Sequence, residues 1–201
     1  VFNRNDPLQV LLILLVMIAV AAWNAGKRGA GLRGAGLRGI RLRVGASIAA
    51  TEAVTLGLLL ALGIIPAETR YVIPISGMTI GNAMVVSSLF LNHMKREADA
   101  SRGEVETLLT LGAAPRQAIH RLLKRAARAS MIPTVDSMKT VGLVQLPGMM
   151  TGMIIAGASP LEAVRYQMLI MFAFASSAAL TGIALAMLTY RLWFGRRDQW
   201  K

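Results

Sequence analysis

Apolar residues in this chain run in long blocks, broken by short neutral turns and by longer basic stretches. The blocks fall near residues 8–23, 44–65, 71–92, 131–157 and 163–190. An α-helix needs roughly 20 apolar residues to cross the hydrocarbon of a bilayer, and these blocks have that length. Pro7 suits the first turn of the first block, and Pro66 closes the second. The turns at 66–70 and 158–162 are brief. The stretch at 95–129 is long and polar. The pattern predicts an all-α fold: one polytopic transmembrane bundle of about five spans over residues 1–201, with a cytoplasmic segment at 95–129.

Composition agrees with the pattern. The chain is 55% hydrophobic with a mean hydropathy of +0.55, above the roughly 45–50% of soluble domains. Its net charge is +12. In a soluble chain that would suggest nucleic acid. Here the cations gather in loops, so they report orientation and no nucleic-acid partner is expected. The loops at 24–43 (with Lys27, Arg28, Arg33, Arg38, Arg41 and Arg43) and 95–129, and the tail after Tyr190, carry most of them. Positive-inside bias places all three in the cytoplasm and the N-terminus outside, in a multi-pass protein of the inner (plasma) membrane. Trp23, Tyr190, Trp193 and Trp200 fit an interfacial belt on the inner side. RGAGL occurs twice, at 28–32 and 33–37, a glycine-rich loop that matches neither helix nor strand period. There are no cysteines, which excludes disulfides and thiolate chemistry.

The cytoplasmic segment reads RGEVETLLTLGAAPRQAIHRLLKRAARASMIP at 102–133. Two short helices are expected, broken near Gly112, the second starting near Pro115. Ile119, Leu122 and Ala126 make an apolar stripe, while Arg116, His120 and Lys124 share another face. Such a basic amphipathic helix can lie on a membrane or enter a partner's groove.

This segment resembles the coupling region of ABC-transporter permeases, in which a Glu precedes a Gly by six residues; Glu106 and Gly112 keep that spacing. Pro133 comes too late for the closing proline of that pattern. AAWNAGKR (21–28), VIPISGMTIGNAM (72–84), IPTVDSMKTVGLVQLPGMMTG (132–152) and AGASPLEAVRYQ (156–167) extend the likeness along the chain. Together they resemble the FetB-type ABC-permease family, which includes a bacterial iron-export permease and a plant relative linked to aluminium tolerance. The resemblance implies a permease homodimer paired with a separate ATP-binding subunit that carries ATP and Mg. It also implies that about two N-terminal spans of the family are missing here. Glu104, Glu106, Gly112, Ala113, Pro115, Arg116, Gln117, His120 and Arg121 would meet that subunit. The chain itself has no GxxxxGK[ST] loop, so it is expected to bind no nucleotide by that route and not to be an enzyme.

Several polar residues interrupt the apolar blocks. Asp136 and Lys139 share a helix face. Either they sit at the inner interface, where their place near the inner end of their block puts them, or they couple the cytoplasmic helix to a gate. Gln145 and Pro147 lie deeper, and Pro147 breaks the helix ladder. Gly148 with Gly152, and Gly77 with Gly81, are GxxxG pairs that permit close packing. Each pair follows a proline, so both helices are expected to be broken and tightly packed. Glu52, deep in its block, is either a cation or proton site or a hydrogen-bonded packing residue. Asn82 and Gln167 are further pathway candidates. Metal ligands cannot be assigned: His93 and His120 are not deep, and methionines such as Met149, Met150 and Met153 are more often packers. Iron export is therefore implied by resemblance alone. Export of a nucleotide sugar or another anionic solute, and a scaffold that transports nothing, are the competing readings.

Overall fold

A computed structural model describes residues 7–28, 39–142 and 147–194. Its elements are helices α1 (Pro7–Arg28), α2 (Ile40–Ala61), α3 (Thr69–Ala100), α4 (Arg102–Thr110), α5 (Pro115–Ala118), α6 (His120–Thr140), α7 (Gly148–Ile155) and α8 (Pro160–Thr189), closed by a 3-10 turn at Tyr190–Trp193. The α8 start follows local chemistry: Pro160 opens the helix, and Ser159 Oγ accepts a hydrogen bond from the Glu162 N–H at 3.3 Å. Among the described residues four helices, α1, α2, α3 and α8, are long and apolar enough to cross a membrane.

The block at 131–157 is not one helix. Its first ten residues belong to α6, which starts at His120 and runs unbroken through the expected loop boundary at 129. Gly142 then adopts φ +81°, and Pro147 caps α7 from an extended conformation. A left-handed residue and a missing N–H stop the helix from both sides. The fourth expected span is thus two pieces. The expected break in α3 does not occur. Pro74 is the sixth residue of α3, so it removes a bond only to the frayed first turn. Among the described residues, close packing at the GxxxG pairs is seen at Gly77 alone. A Cβ at Gly81, Gly148 or Gly152 would meet nothing within 4 Å, and one at Gly77 would meet only the Met17 side chain. Backbones come close elsewhere, where a Cβ on Gly45 would lie 3.2 Å from Ala22 Cβ and one on Gly182 3.6 Å from Ala127 Cβ.

The packed interior has two apolar layers. The larger joins Ile40, Val44, Ile48, Phe90, Leu91, Met94, Val105, Ile119, Leu122 and Trp193, and so ties α2, α3, α4 and α6 to the end of α8. The smaller joins Leu59, Ile65, Ile75 and Ala173 at the opposite end. Basic groups collect at the first of these ends. Lys27 and Arg41 stack on Trp23, with 5.6 and 4.4 Å to the ring centroid. Arg43 donates to the Leu188 carbonyl. Arg125 pairs with Glu97 at 3.3 Å.

Candidate functional site

Between the two apolar layers lies a layer of polar side chains. On α2 it holds Ser47, Thr51, Glu52 and Thr55; on α3 Ser76, Thr79 and Asn82; on α6 Thr134; on α8 Ser177 and Thr181. Spacings of three and four residues put each set on one helix face. Thr79 Oγ1 donates to Glu52 Oε2 at 2.6 Å. Thr181 Oγ1 bonds Thr51 Oγ1 at 3.2 Å, and Ser47 Oγ donates to the Thr181 carbonyl at 3.4 Å. Asn82 is the hub. Its Nδ2 donates to the Phe174 carbonyl and to Ser177 Oγ, both at 3.0 Å, while its Oδ1 accepts from Thr134 Oγ1 at 3.2 Å. One amide therefore ties α3 to both α6 and α8.

That hub makes a prediction. Asn82→Leu strands the Thr134 hydroxyl in a part-buried layer, where an unsatisfied polar group costs about 1–3 kcal/mol, while Ser177 keeps its bond to the Phe174 carbonyl. We expect the purified protein in detergent to melt several degrees lower, whereas Asn92→Leu should leave its melting temperature unchanged. A melting temperature unchanged by Asn82→Leu would remove Asn82 from this structural role.

The same contacts set the level of α6. Thr134 meets Asn82, thirteen residues into α3, while Arg125 meets Glu97 near the far end of α3. Asp136 and Lys139 follow Thr134 and so lie level with the middle of α3. α6 enters the bundle earlier than the sequence pattern indicates, already at Leu122 and Ala126. Lys139 Nζ lies 3.3 Å from Asp136 Oδ1, and the two side chains are 70% and 59% exposed. They open onto a groove of about 630 Å³ lined by α6 and α8, with Arg128, Ile132, Val135 and Ile183. A second groove of about 410 Å³ carries Arg116, His120 and Lys124 over Leu123, Ile183 and Met187.

The segment joining α4 to α6 presents most of the remaining candidates. α4 ends in a turn in which the N–H of Gly112 bonds the Leu109 carbonyl and that of Ala113 the Leu108 carbonyl. Gly112 has φ +86°. Pro115 opens α5, and Gln117 Oε1 accepts from the Ala114 N–H at 3.1 Å. Glu104 faces Arg121 at 3.7 Å across α4 and α6, whereas Glu106 pairs with Arg102 within α4. Arg116, Gln117 and His120 are exposed, and Leu111, 79% exposed, projects from the turn.

Of the other candidates, Gln167 is buried in α8 with Oε1 unpartnered. Pro147, Gly148 and Gly152 lie at the start of and within α7, away from the polar layer's bonds. Gln145 lies outside the described residues. Reading the sequence missed the hydroxyl residues Thr51, Thr55, Ser76, Thr79, Thr134, Ser177 and Thr181. Their helical spacing beside Glu52 and Asn82 was the available signal. Among the described residues no three His, Cys, Asp or Glu side chains gather to hold a metal ion.

A profile described as "Uncharacterised protein family (UPF0014)" matches residues 1–194. The UPF0014 membrane protein YjkA of Bacillus subtilis (strain 168) is 51% identical over 201 residues, covering 100% of this chain and 78% of that protein. The "Probable iron export permease protein FetB" of Escherichia coli (strain K12) is 41% identical over 200 residues, 99% of this chain and 75% of its own length. The "Protein ALUMINUM SENSITIVE 3" of Arabidopsis thaliana is 39% identical over 199 residues, 99% and 71% respectively. No solved structure matches the chain.

Proposed function

The chain belongs to the UPF0014 family of membrane proteins, and from that premise we propose that it is the membrane subunit of an ABC exporter of iron, driven by a separate ATP-binding subunit. One observation supports this above the rest: the Asp136–Lys139 pair stands exposed on α6 at the level of the middle of α3. A charged pair at that level is costly against lipid and belongs on a water-filled path or against protein. α6 is also not among the helices apolar enough to span on their own. In this reading two copies set their α6–α8 faces toward each other and enclose a polar route.

The basic end of the bundle is the cytoplasmic one in this reading, by positive-inside bias. The N-terminus is then outside, α6 and α7 form one interrupted crossing, and the membrane is the plasma membrane. Discontinuous helices of this kind line substrate paths in other transporters. The ATP-binding subunit, with its ATP and Mg, docks on the Leu111 turn and the exposed Arg116, Gln117 and His120. Its closure pushes α6 endwise. Iron as cargo follows the printed name of the Escherichia coli relative. It would pass along oxygen donors at the α6 face such as Asp136, Asn82 and Thr134.

Co-reconstitution in liposomes with the ATP-binding subunit tests the proposal. The expected result is ATP-dependent iron movement in the direction of export, absent when either subunit is omitted. A stable complex that hydrolyses ATP, moves no iron and is stimulated by a nucleotide sugar would replace iron by an anionic solute. Absence of any complex would leave a membrane scaffold.

A further inference from the structure

Glu52 carries an oxygen that nothing among the described residues uses. Its Oε2 accepts from Thr79, but Oε1 is buried with no hydrogen-bond partner. Two more orphans stand beside it. α2 and α3 are successive helices joined by a short turn and run antiparallel. Glu52 meets Thr79, so Thr55, one turn on in α2, comes level with Ser76, one turn back in α3. Thr55 Oγ1 and Ser76 Oγ are also buried with no partner at hydrogen-bond geometry, Ser76 standing beside the Glu52 carboxylate. The residues are at most 6% exposed. Orphaned buried oxygens are rare and ask for a ligand.

The charge balance asks for the same thing. A buried carboxylate needs a counter-charge. The charged or titratable residues on the helices packed around it stand elsewhere. On α2 they are Arg41 and Arg43, on α3 Arg70 and His93 onward, and on α1 Lys27. On α8 they are Glu162, Arg165, Tyr166 and the Tyr190–Arg191 end. Tyr71, neutral, is eight residues from Thr79, and the nearest charged residues in sequence to Glu52 or Thr79, Arg43 and Arg70, are nine away, roughly 13 Å along a helix. On α6, Asp136 and Lys139 serve each other. Among the described residues no basic side chain from these helices pairs with Glu52.

We propose that Glu52, Thr55, Ser76 and Thr79 form an interior site for one small monovalent cation, a proton or an alkali ion. The donor set is one carboxylate and three hydroxyls, all hard oxygen. A single positive charge cancels the carboxylate, whereas a divalent ion would leave net charge buried. Thr79 is built to accommodate occupancy. Its single hydroxyl hydrogen points to Glu52 at 2.6 Å, but the carbonyls of Ile75 and Ser76 both lie 3.1 Å from the same oxygen. When the cation arrives, the hydrogen turns to a carbonyl and a lone pair faces the site. The site is separate from the iron route on the α6 face and does not depend on the exporter reading.

The test uses the purified full chain in detergent, without any partner. Thermal unfolding is followed at constant ionic strength as choline is replaced by sodium or potassium at fixed pH, and then across pH without alkali ions. Saturable stabilisation of several degrees by an alkali ion at fixed pH, lost in Glu52→Gln, identifies an alkali-ion site. Stabilisation by falling pH alone, lost in Glu52→Gln together with an infrared protonated-carboxyl band, identifies a proton site. Thr55→Val and Ser76→Ala should each raise the half-saturating alkali concentration about tenfold or, for a proton, shift that infrared transition. They keep the test decisive if Glu52→Gln does not fold. Identical responses of wild type and all three variants to both titrations would overturn the proposal.

Discussion

Valine at position 112 should cut ATP-driven transport at least tenfold while the ATP-binding subunit goes on hydrolysing ATP. Gly112 sits at φ +86°, where a β-branched residue is a genuine outlier. Space is not the issue, since a Cβ there would meet nothing within 4 Å. The strain is in the backbone and costs on the order of 1–3 kcal/mol. Relief comes by rotating the turn, which breaks the bonds from Gly112 to Leu109 and from Ala113 to Leu108 and redirects Pro115 and α5. The turn is exposed and peripheral to the bundle, so the protein should still fold and insert. Gly112→Asn is the control, because asparagine tolerates the left-handed region. It should retain most coupling. The readout is the ratio of transported iron to hydrolysed ATP in co-reconstituted liposomes. A ratio unchanged in Gly112→Val would count against this turn as the contact between subunits.

Asp136→Leu should abolish transport, and reversing the pair, Asp136→Lys with Lys139→Asp, should recover a substantial part of it. In water an exposed pair three residues apart is worth little, about 0–1 kcal/mol. Its level changes that estimate. Leucine at 136 would leave Lys139 unpaired beside the middle of α3, where a lone charge costs about 2.5–3.5 kcal/mol or more unless water reaches it. The groove between α6 and α8 would then carry a net positive charge facing a cationic cargo, a barrier to passage in its own right. Lys139→Met leaves Asp136 alone and should impair transport less, because a lone carboxylate still attracts cations. Equal transport by wild type and Asp136→Leu would mean that this face does not border the route. Failure of the reversed pair to recover activity, with both single variants inactive, would assign the residues position-specific roles in place of mutual neutralisation.

These two sites were legible to different depths. Pro115 and the glycine before it were readable as a break because their backbone preferences are local, and the structure puts the turn there with Gly112 left-handed. Asp136 and Lys139 could be paired from spacing, but their level could not. Helix periodicity carries no information about where along a neighbour a helix docks. The bond from Thr134 to Asn82 supplies that, and it joins residues 52 positions apart. The one wrong continuous span had the same cause. Hydropathy averaged across Gly142 and Pro147 read a helix where a left-handed glycine and a proline end one and begin another.

By itself the sequence determined the helical class, the apolar stretches that became α1, α2, α3 and α8, the clustering of cations in the connecting segments, and the solitary carboxylate at Glu52. Each of these follows from local composition and from the length a helix needs to cross hydrocarbon. Only the tertiary structure decided that Lys27, Arg41, Arg43 and Arg125 gather at one end, that Thr134 just before the charged pair of α6 docks on Asn82, and that hydroxyls from four helices form one layer. It also left Glu52 facing Thr79 with one oxygen unused. Those outcomes depend on the register between helices. Register is set by which side chains fit and bond across an interface, not by any one segment's own pattern.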